Sequence, residues 1–322
     1  MSGLQRIDVH HHIYPPRYIA EEGDRIVSIA PGFPAAILTE WTAEKTLDDM
    51  DRNDIQASIV SISTPGVWFG NVEKGRKLAR ICNDFAAELI LQYPKRFGMF
   101  GVIPLPDVEG SLREIEYCFE QLKFDGIGIL TSYGKRWPGD AAFAPVFEEL
   151  NRRKSVIHFH PTAPAEFMSL VPDVPPAIAE FPFDTTRSIM SLLFSGTLSC
   201  NQNIRCIFSH GGGTVPYLAD RIASLARRPT ATHLAARMPN GVEHELRKLY
   251  FDVVSVAGNR HGMAALRSFA DPDHLLLGSD FPYASVDRAL QGLKKLDLSP
   301  DETAKIERDN ALTLFPELAK RL

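Results

Sequence analysis

Four histidines and one aspartate fall where a single metal ion could gather them. His10 and His12 lie two residues apart, and His160, His210 and Asp280 follow much later in the chain. Each stands at the C-terminal end of a strand-like run. Alternate side chains of an extended strand share a face, so Asp8, His10 and His12 point one way and His11 the other. Three imidazoles and one carboxylate form the borderline donor set that suits Zn²⁺, with Mn²⁺, Fe²⁺ and Co²⁺ as substitutes. An HxH pair alone is a weak signal, because a single histidine is more often a hydrogen-bonded core residue than a ligand. Five such residues at strand ends are hard to obtain by chance, and they point to one divalent metal ion, with zinc the expected one. His158 shares parity with His160. Pro161 marks the end of that strand, so His160 is the expected ligand and His158 is expected one layer down, as a supporting donor.

The elements that must carry these residues can be read from periodicity. Strand-like runs fall at 6–9, 57–63, 97–103, 126–130, 155–160, 205–209, 249–254 and 274–277. Amphipathic stretches alternate with them. Residues 74–93 place Leu78, Ile81, Cys82, Phe85 and Leu89 on one helical face, and 112–122 does the same with Leu112, Ile115, Phe119 and Leu122. Further helices are predicted at 44–52, 143–153, 185–198, 215–226, 262–269, 285–296 and 303–322, with an irregular Pro- and Gly-containing segment before Ala43. Strands and helices alternating without a composition break predict one (β/α)₈ TIM barrel over residues 1–322. Such a barrel brings the C-terminal ends of its strands to one face, within reach of a single ion. The long connections after strands one, five and six are the expected site loops.

Composition narrows the function. With 35 Lys and Arg against 40 Asp and Glu, the formal charge is -5, which leaves no basic stripe for a nucleic-acid partner. No apolar run approaches the ~20 residues needed to span a bilayer, so no membrane partner is expected. The first residues carry no signal-peptide core, and four scattered cysteines do not form a disulfide framework. A cytoplasmic location is expected. No GxGxxG dinucleotide fingerprint is present, which favours non-oxidative chemistry.

The segments Asp8-Val-His-His-His-Ile-Tyr-Pro15, His160-Pro161, Ser209-His-Gly-Gly-Gly213 and Gly278-Ser-Asp-Phe-Pro-Tyr283 resemble the amidohydrolase superfamily. More narrowly, they resemble the amidohydrolase 2 branch typified by α-amino-β-carboxymuconate-ε-semialdehyde decarboxylase. The resemblance runs through Met50-Asp51, Pro94-Lys-Arg-Phe-Gly98 and Arg308-Asp-Asn-Ala-Leu-Thr-Leu-Phe315. Leu130-Thr-Ser-Tyr133, Phe181-Pro-Phe-Asp-Thr-Thr-Arg187 and Ser195-Gly-Thr-Leu198 look most like the 6-methylsalicylate decarboxylase group. The resemblance implies that His10, His12, His160 and Asp280 hold the metal and that His210 is an unliganded acid/base. It also implies a homodimer or homotetramer, with Tyr217 to Arg228 as the candidate interface segment. One departure is visible. The muconate-semialdehyde enzymes carry an arginine shortly before the Met-Asp pair, where this chain has only Lys45, which argues against that semialdehyde as substrate.

The expected activity is therefore metal-dependent decarboxylation of a small aromatic, salicylate-like carboxylic acid, with Asp280 donating the proton and His210 polarising the phenol or water. The same residues could serve a hydrolase of an amide or lactone. Candidate substrate contacts are Arg187, as a carboxylate anchor, and Trp68 and Phe69, as a wall for a flat ring. Arg187 could equally pair with Asp184 one helical turn away, and the two aromatics could equally be loop packing. Gly211, Gly212 and Gly213 could let backbone approach a ligand.

Overall fold

The computed structural model describes residues 5–29, 35–168, 170–228 and 232–322. Eight parallel strands follow one another in chain order around a barrel: β1 (Arg6–His12), β2 (Ile55–Ser61), β3 (Phe97–Val102), β4 (Gly126–Leu130), β5 (Val156–His160), β6 (Arg205–Phe208), β7 (Tyr250–Asp252) and β8 (Leu275–Leu276). The ring is completed beyond β8, where the Val9 N–H donates to the Leu277 carbonyl at 3.0 Å and the His12 N–H to the Phe281 carbonyl at 2.8 Å.

The main helices are α1 (Pro16–Ile29), α2 (Ala43–Arg52), α3 (Val72–Gln92), α4 (Val108–Glu120), α5 (Ala144–Arg152), α6 (Glu180–Ser195), α7 (Val215–Ala226), α8 (Arg260–Phe269) and α9 (Val286–Leu293). Several begin earlier than the apolar stripe predicts, because a capping side chain sets the start. Asn71 accepts from the Lys74 N–H at 2.9 Å, and Asp107 accepts from the Gly110 N–H at 3.1 Å. Helix α6 ends at Ser195 because Gly196 takes the left-handed conformation at φ 85°.

Two expectations are corrected. The segment before Ala43, expected to be irregular, contains α1, which buries Tyr18, Glu22 and Ile26 at four-residue spacing. The predicted helix 303–322 starts earlier, at Pro300, runs through a π-helical turn at Lys305–Asp309 to Leu314, and is broken at Phe315 before Pro316–Arg321. Pro316 disfavours helical backbone at Phe315, whose φ and ψ are -120° and 71°. The break is used. Ala311, Leu314, Phe315 and Leu318 pack against Ile7, Val9, Ala57, Ile59, Phe100, Val156, Ile207 and Leu276. Side chains drawn from so many strands can meet only inside the ring, so the terminal segment floors the barrel below the histidines. A second, larger apolar cluster lies between the strands and the surrounding helices. Among the described residues, no helix is long and apolar enough to cross a membrane.

Candidate metal centre

Strand β1 carries a register irregularity between Asp8 and His11, yet the rings of His10 and His12 still converge. Their Nε2 atoms stand 3.1 Å apart, and each faces Asp280 Oδ1, at 3.2 and 3.1 Å. His160 ends β5 with its Nε2 3.8 Å from the same oxygen. Ligand atoms of His10, His12, His160 and Asp280 all lie within 4.8 Å of one another. Asp280 reaches the cluster from a tight turn, with φ 65° and its N–H donating to the His10 carbonyl at 2.8 Å. Asp8 does not join the cluster. Its carboxylate accepts from the His10 N–H, the Ser279 N–H and the Ser279 hydroxyl, at 3.0, 3.0 and 2.6 Å, and so ties β1 to the turn that presents Asp280. His11 turns away from the cluster, its Nδ1 3.0 Å from Asp8 and its ring stacked on Phe281.

Hydrogen bonds on the far side of each ring decide where the lone pairs point. His160 Nδ1 lies 3.0 Å from the Pro161 carbonyl, which can only accept, so Nδ1 holds the proton and Nε2 the lone pair. That buried Nε2 has no hydrogen-bond partner among the described residues. His10 Nδ1 faces the Asp252 carboxylate at 2.8 Å, and His12 Nδ1 faces the Ser61 hydroxyl at 3.0 Å. Burial pushes the His12 imidazole down to about 4 and His160 well below its usual range. Burial also opposes a charge on His10, but Asp252 and Asp280 outweigh it and push this group up to about 10. Burial likewise opposes the Asp280 charge, and His10 with the neighbouring imidazoles holds it well below the usual carboxylate range. The cluster therefore favours a positive charge at its centre, and the donor set of three imidazole nitrogens and a carboxylate oxygen fits a divalent ion.

His210 follows β6 and stands beside the cluster, with Nε2 3.3 Å from Asp280 Oδ2. Its backbone is left-handed, at φ 56°. His158 lies on the other side of His10, stacked on Phe100, with Nε2 3.3 Å from the Ser209 hydroxyl. His10, His158 and Asp252 make a second close group beneath the first. Asp252 is the site residue that sequence reasoning missed. Its signal was available: a carboxylate near the end of the predicted seventh strand, at the level where the other strands carry histidine.

A cavity of about 870 Å³ opens above the cluster, lined by His160, His210 and Asp280 together with Phe181, Tyr283 and Arg288. Arg187, Trp68 and Phe69 are not among its lining residues. The Arg187 guanidinium lies over Phe167, and one of its nitrogens is 3.9 Å from Asp184, which itself accepts from Thr131 and Trp137. Trp68 turns back against Gly75 of α3, and Phe69 packs against the apolar layer with Arg25 above its ring. Of the three glycines after His210, Gly213 lines the cavity, and two of them pack too closely on neighbouring protein to carry a Cβ. A Cβ on Gly212 would meet the Phe251 ring at 2.6 Å, and one on Gly213 would meet the Pro182 carbonyl at 2.2 Å. Lys45 is held at the surface, donating to the Glu40 carbonyl at 2.6 Å.

A family model described as Amidohydrolase matches residues 7–316. The decarboxylase yanB of Aspergillus niger is 37% identical over 332 residues, covering 97% of this chain and 88% of that protein. The 6-methylsalicylic acid decarboxylase of Penicillium expansum is 35% identical, covering 98% of this chain and 97% of that protein. The crystal structure of 5-carboxyvanillate decarboxylase from Novosphingobium aromaticivorans, complexed with manganese and 4-hydroxy-3-methoxy-5-nitrobenzoic acid, has a TM-score of 0.88 at 22% identity. It covers 98% of this chain and 97% of that one, and the likeness is one of fold.

Proposed function

Because the chain belongs to the amidohydrolase family, we propose that it is a metal-dependent, non-oxidative decarboxylase of a small salicylate-like aromatic carboxylic acid. The observation that carries the metal reading is the convergence of His10, His12, His160 and Asp280, with the buried Nε2 of His160 lacking a hydrogen-bond partner among the described residues. These four residues would hold one divalent ion. Zinc suits the donor set, while manganese is the ion in the carboxyvanillate enzyme. When bound, such an ion would draw the oxygens of a hydroxybenzoate to the centre and stabilise negative charge on them. The aromatic decarboxylase relatives supply the substrate class.

The residues divide the remaining work. The cavity wall at Phe181 and Tyr283 receives the flat ring. Asp280 delivers a proton to the ring carbon that bears the carboxylate. The bond to the carboxylate carbon then breaks, its electron pair restores the aromatic ring, and CO₂ leaves. His210, 3.3 Å from Asp280, loads it with the proton that it delivers, takes a replacement from bulk water, and polarises the phenol. Arg187, Trp68 and Phe69 are left out of this contact set because they do not line the cavity.

The reading extends to the whole chain as one catalytic unit in a reducing cytoplasm, supported by four cysteines that are all free. It also extends to a homodimer or homotetramer formed through α7, where Tyr217 is 87% exposed. The deciding experiment is a panel of hydroxybenzoates, amides and lactones offered to the zinc- and manganese-reconstituted protein. CO₂ release from an ortho-hydroxybenzoate is expected; hydrolysis of a lactone or amide without CO₂ release would replace the decarboxylase with a hydrolase.

A further inference from the structure

Asp252 ends β7 completely buried, and its two carboxylate oxygens serve two different parts of the centre. Oδ2 accepts from His10 Nδ1 at 2.8 Å. Oδ1 accepts from the backbone N–H of His210 at 2.9 Å and from that of Val254 at 3.1 Å. His210 needs such a tether, because its φ of 56° is a conformation that residues bearing a Cβ rarely adopt. His10 needs one as well, because its Nε2 presents a lone pair to the cluster only while Nδ1 keeps the proton. We propose that Asp252 is a positioning residue with two functions: it fixes the tautomer and orientation of His10, and it sets the backbone that carries His210. This inference rests on the reading of His10 as a metal ligand and His210 as the acid/base.

The substitution Asp252→Asn separates the two functions, because a carboxamide has one acceptor oxygen where the carboxylate has two. With that oxygen toward His210, the amide NH₂ faces His10 Nδ1 and imposes the tautomer whose Nε2 bears a proton. With the oxygen toward His10, the NH₂ opposes two backbone donors. Manganese affinity should be measured by electron paramagnetic resonance titration with MnCl₂, and kcat then followed at saturating manganese on a hydroxybenzoate that the wild type accepts. In Asp252→Asn affinity is expected to fall about 10–100-fold, and in Asp252→Ala, which also removes the acceptor for the His210 N–H, kcat is expected to stay below wild type even when the metal site is full. A merely structural carboxylate would lower Tm and leave the manganese affinity of the folded protein unchanged, which would overturn the proposal. Asp252→Ala removes both acceptors, and full recovery of its kcat at saturating manganese would overturn the tether to His210. A wild type that binds no manganese or zinc would overturn the metal reading itself, which distinguishes that failure from this one. If the variant does not fold, ¹⁵N-histidine spectra of the zinc-loaded wild type decide: a proton on His10 Nδ1 is expected, and its absence overturns the proposal.

Discussion

His210 and Asp280 stand close enough to exchange a proton, yet they are assigned different work. Asp280 touches both His10 and His12, whereas His210 reaches only the outer oxygen of Asp280. The substitution His210→Asn is therefore expected to keep the metal and lose ~10²–10⁴-fold in kcat, the usual contribution of a general acid/base. Asp280→Ala should lose both turnover and metal. Elemental analysis beside steady-state kinetics checks the pair, and collapse of metal content in the His210 variant would make that histidine a ligand. Much of this was legible in the sequence, because residues at strand ends inherit a predictable position from the barrel. His10, His12, His160, His210 and Asp280 were read that way, and the structure brings their side chains together. Asp252 was missed because the seventh strand was read to Val254, two residues past its actual end, which hid Asp252 inside the strand. Trp68 and Phe69 were placed toward the cavity on loop order, and Arg187 on its position early in a predicted helix. A loop side chain has no periodicity to read, and Trp68 and Phe69 turn to Gly75 and the apolar layer, while Arg187, in α6, lies over Phe167.

The turn after β6 shows how an element positions a residue. Gly213 has φ 66°, and a Cβ there would stand 2.2 Å from the Pro182 carbonyl and 3.0 Å from the Thr186 hydroxyl. Gly213→Ala is expected to cost about 1–3 kcal/mol through strain and to lower kcat by displacing His210, while manganese content stays near wild type. Thermal unfolding and kinetics check this, and unchanged values in both would refute the packing role of the turn. Helix α5 offers a pH test. The hydrogen bond from Arg152, assisted by Arg153 and opposed by burial, holds Glu149 down to about 2, from an ordinary 4.5. A lowered pKa stabilises the fold above the ordinary value, and the contribution is lost as pH falls through the folded one. Glu149→Gln should therefore be less stable than wild type at pH 7, with the gap closing between about 4.5 and 2. Urea midpoints across that range measure it, and a constant gap would contradict it. The capped starts of α3 and α4 were written in Asn71 and Asp107, beyond the apolar stripes that defined those helices in the sequence.

At the scale of the molecule, the barrel separates a dry floor from a polar mouth. The terminal segment supplies the floor, which a single predicted helix could not have done, since only the break at Phe315 and Pro316 folds Phe315 against Phe100 beneath His158. Phe315→Ala should cost about 3–5 kcal/mol by opening a cavity there, measured by denaturant unfolding at fixed manganese concentration. A loss within 0.5 kcal/mol would show that the floor is not a stability element. The barrel itself was readable because eight strand–helix alternations leave few other topologies, whereas the floor depends on where a helix is interrupted. The mouth gathers donors from β1, β5 and the turn after β8, with His210 arriving from β6, and its central claim is chemical: one divalent ion and one proton relay remove a carboxylate from an aromatic ring. That claim is tested most directly by incubating the metal-reconstituted protein with 6-methylsalicylate in D₂O and analysing the products by mass spectrometry and NMR. The expected result is one CO₂ per phenol formed, with a single deuterium on the carbon that carried the carboxylate. Substrate recovered intact, or a phenol without deuterium at that carbon, would contradict it.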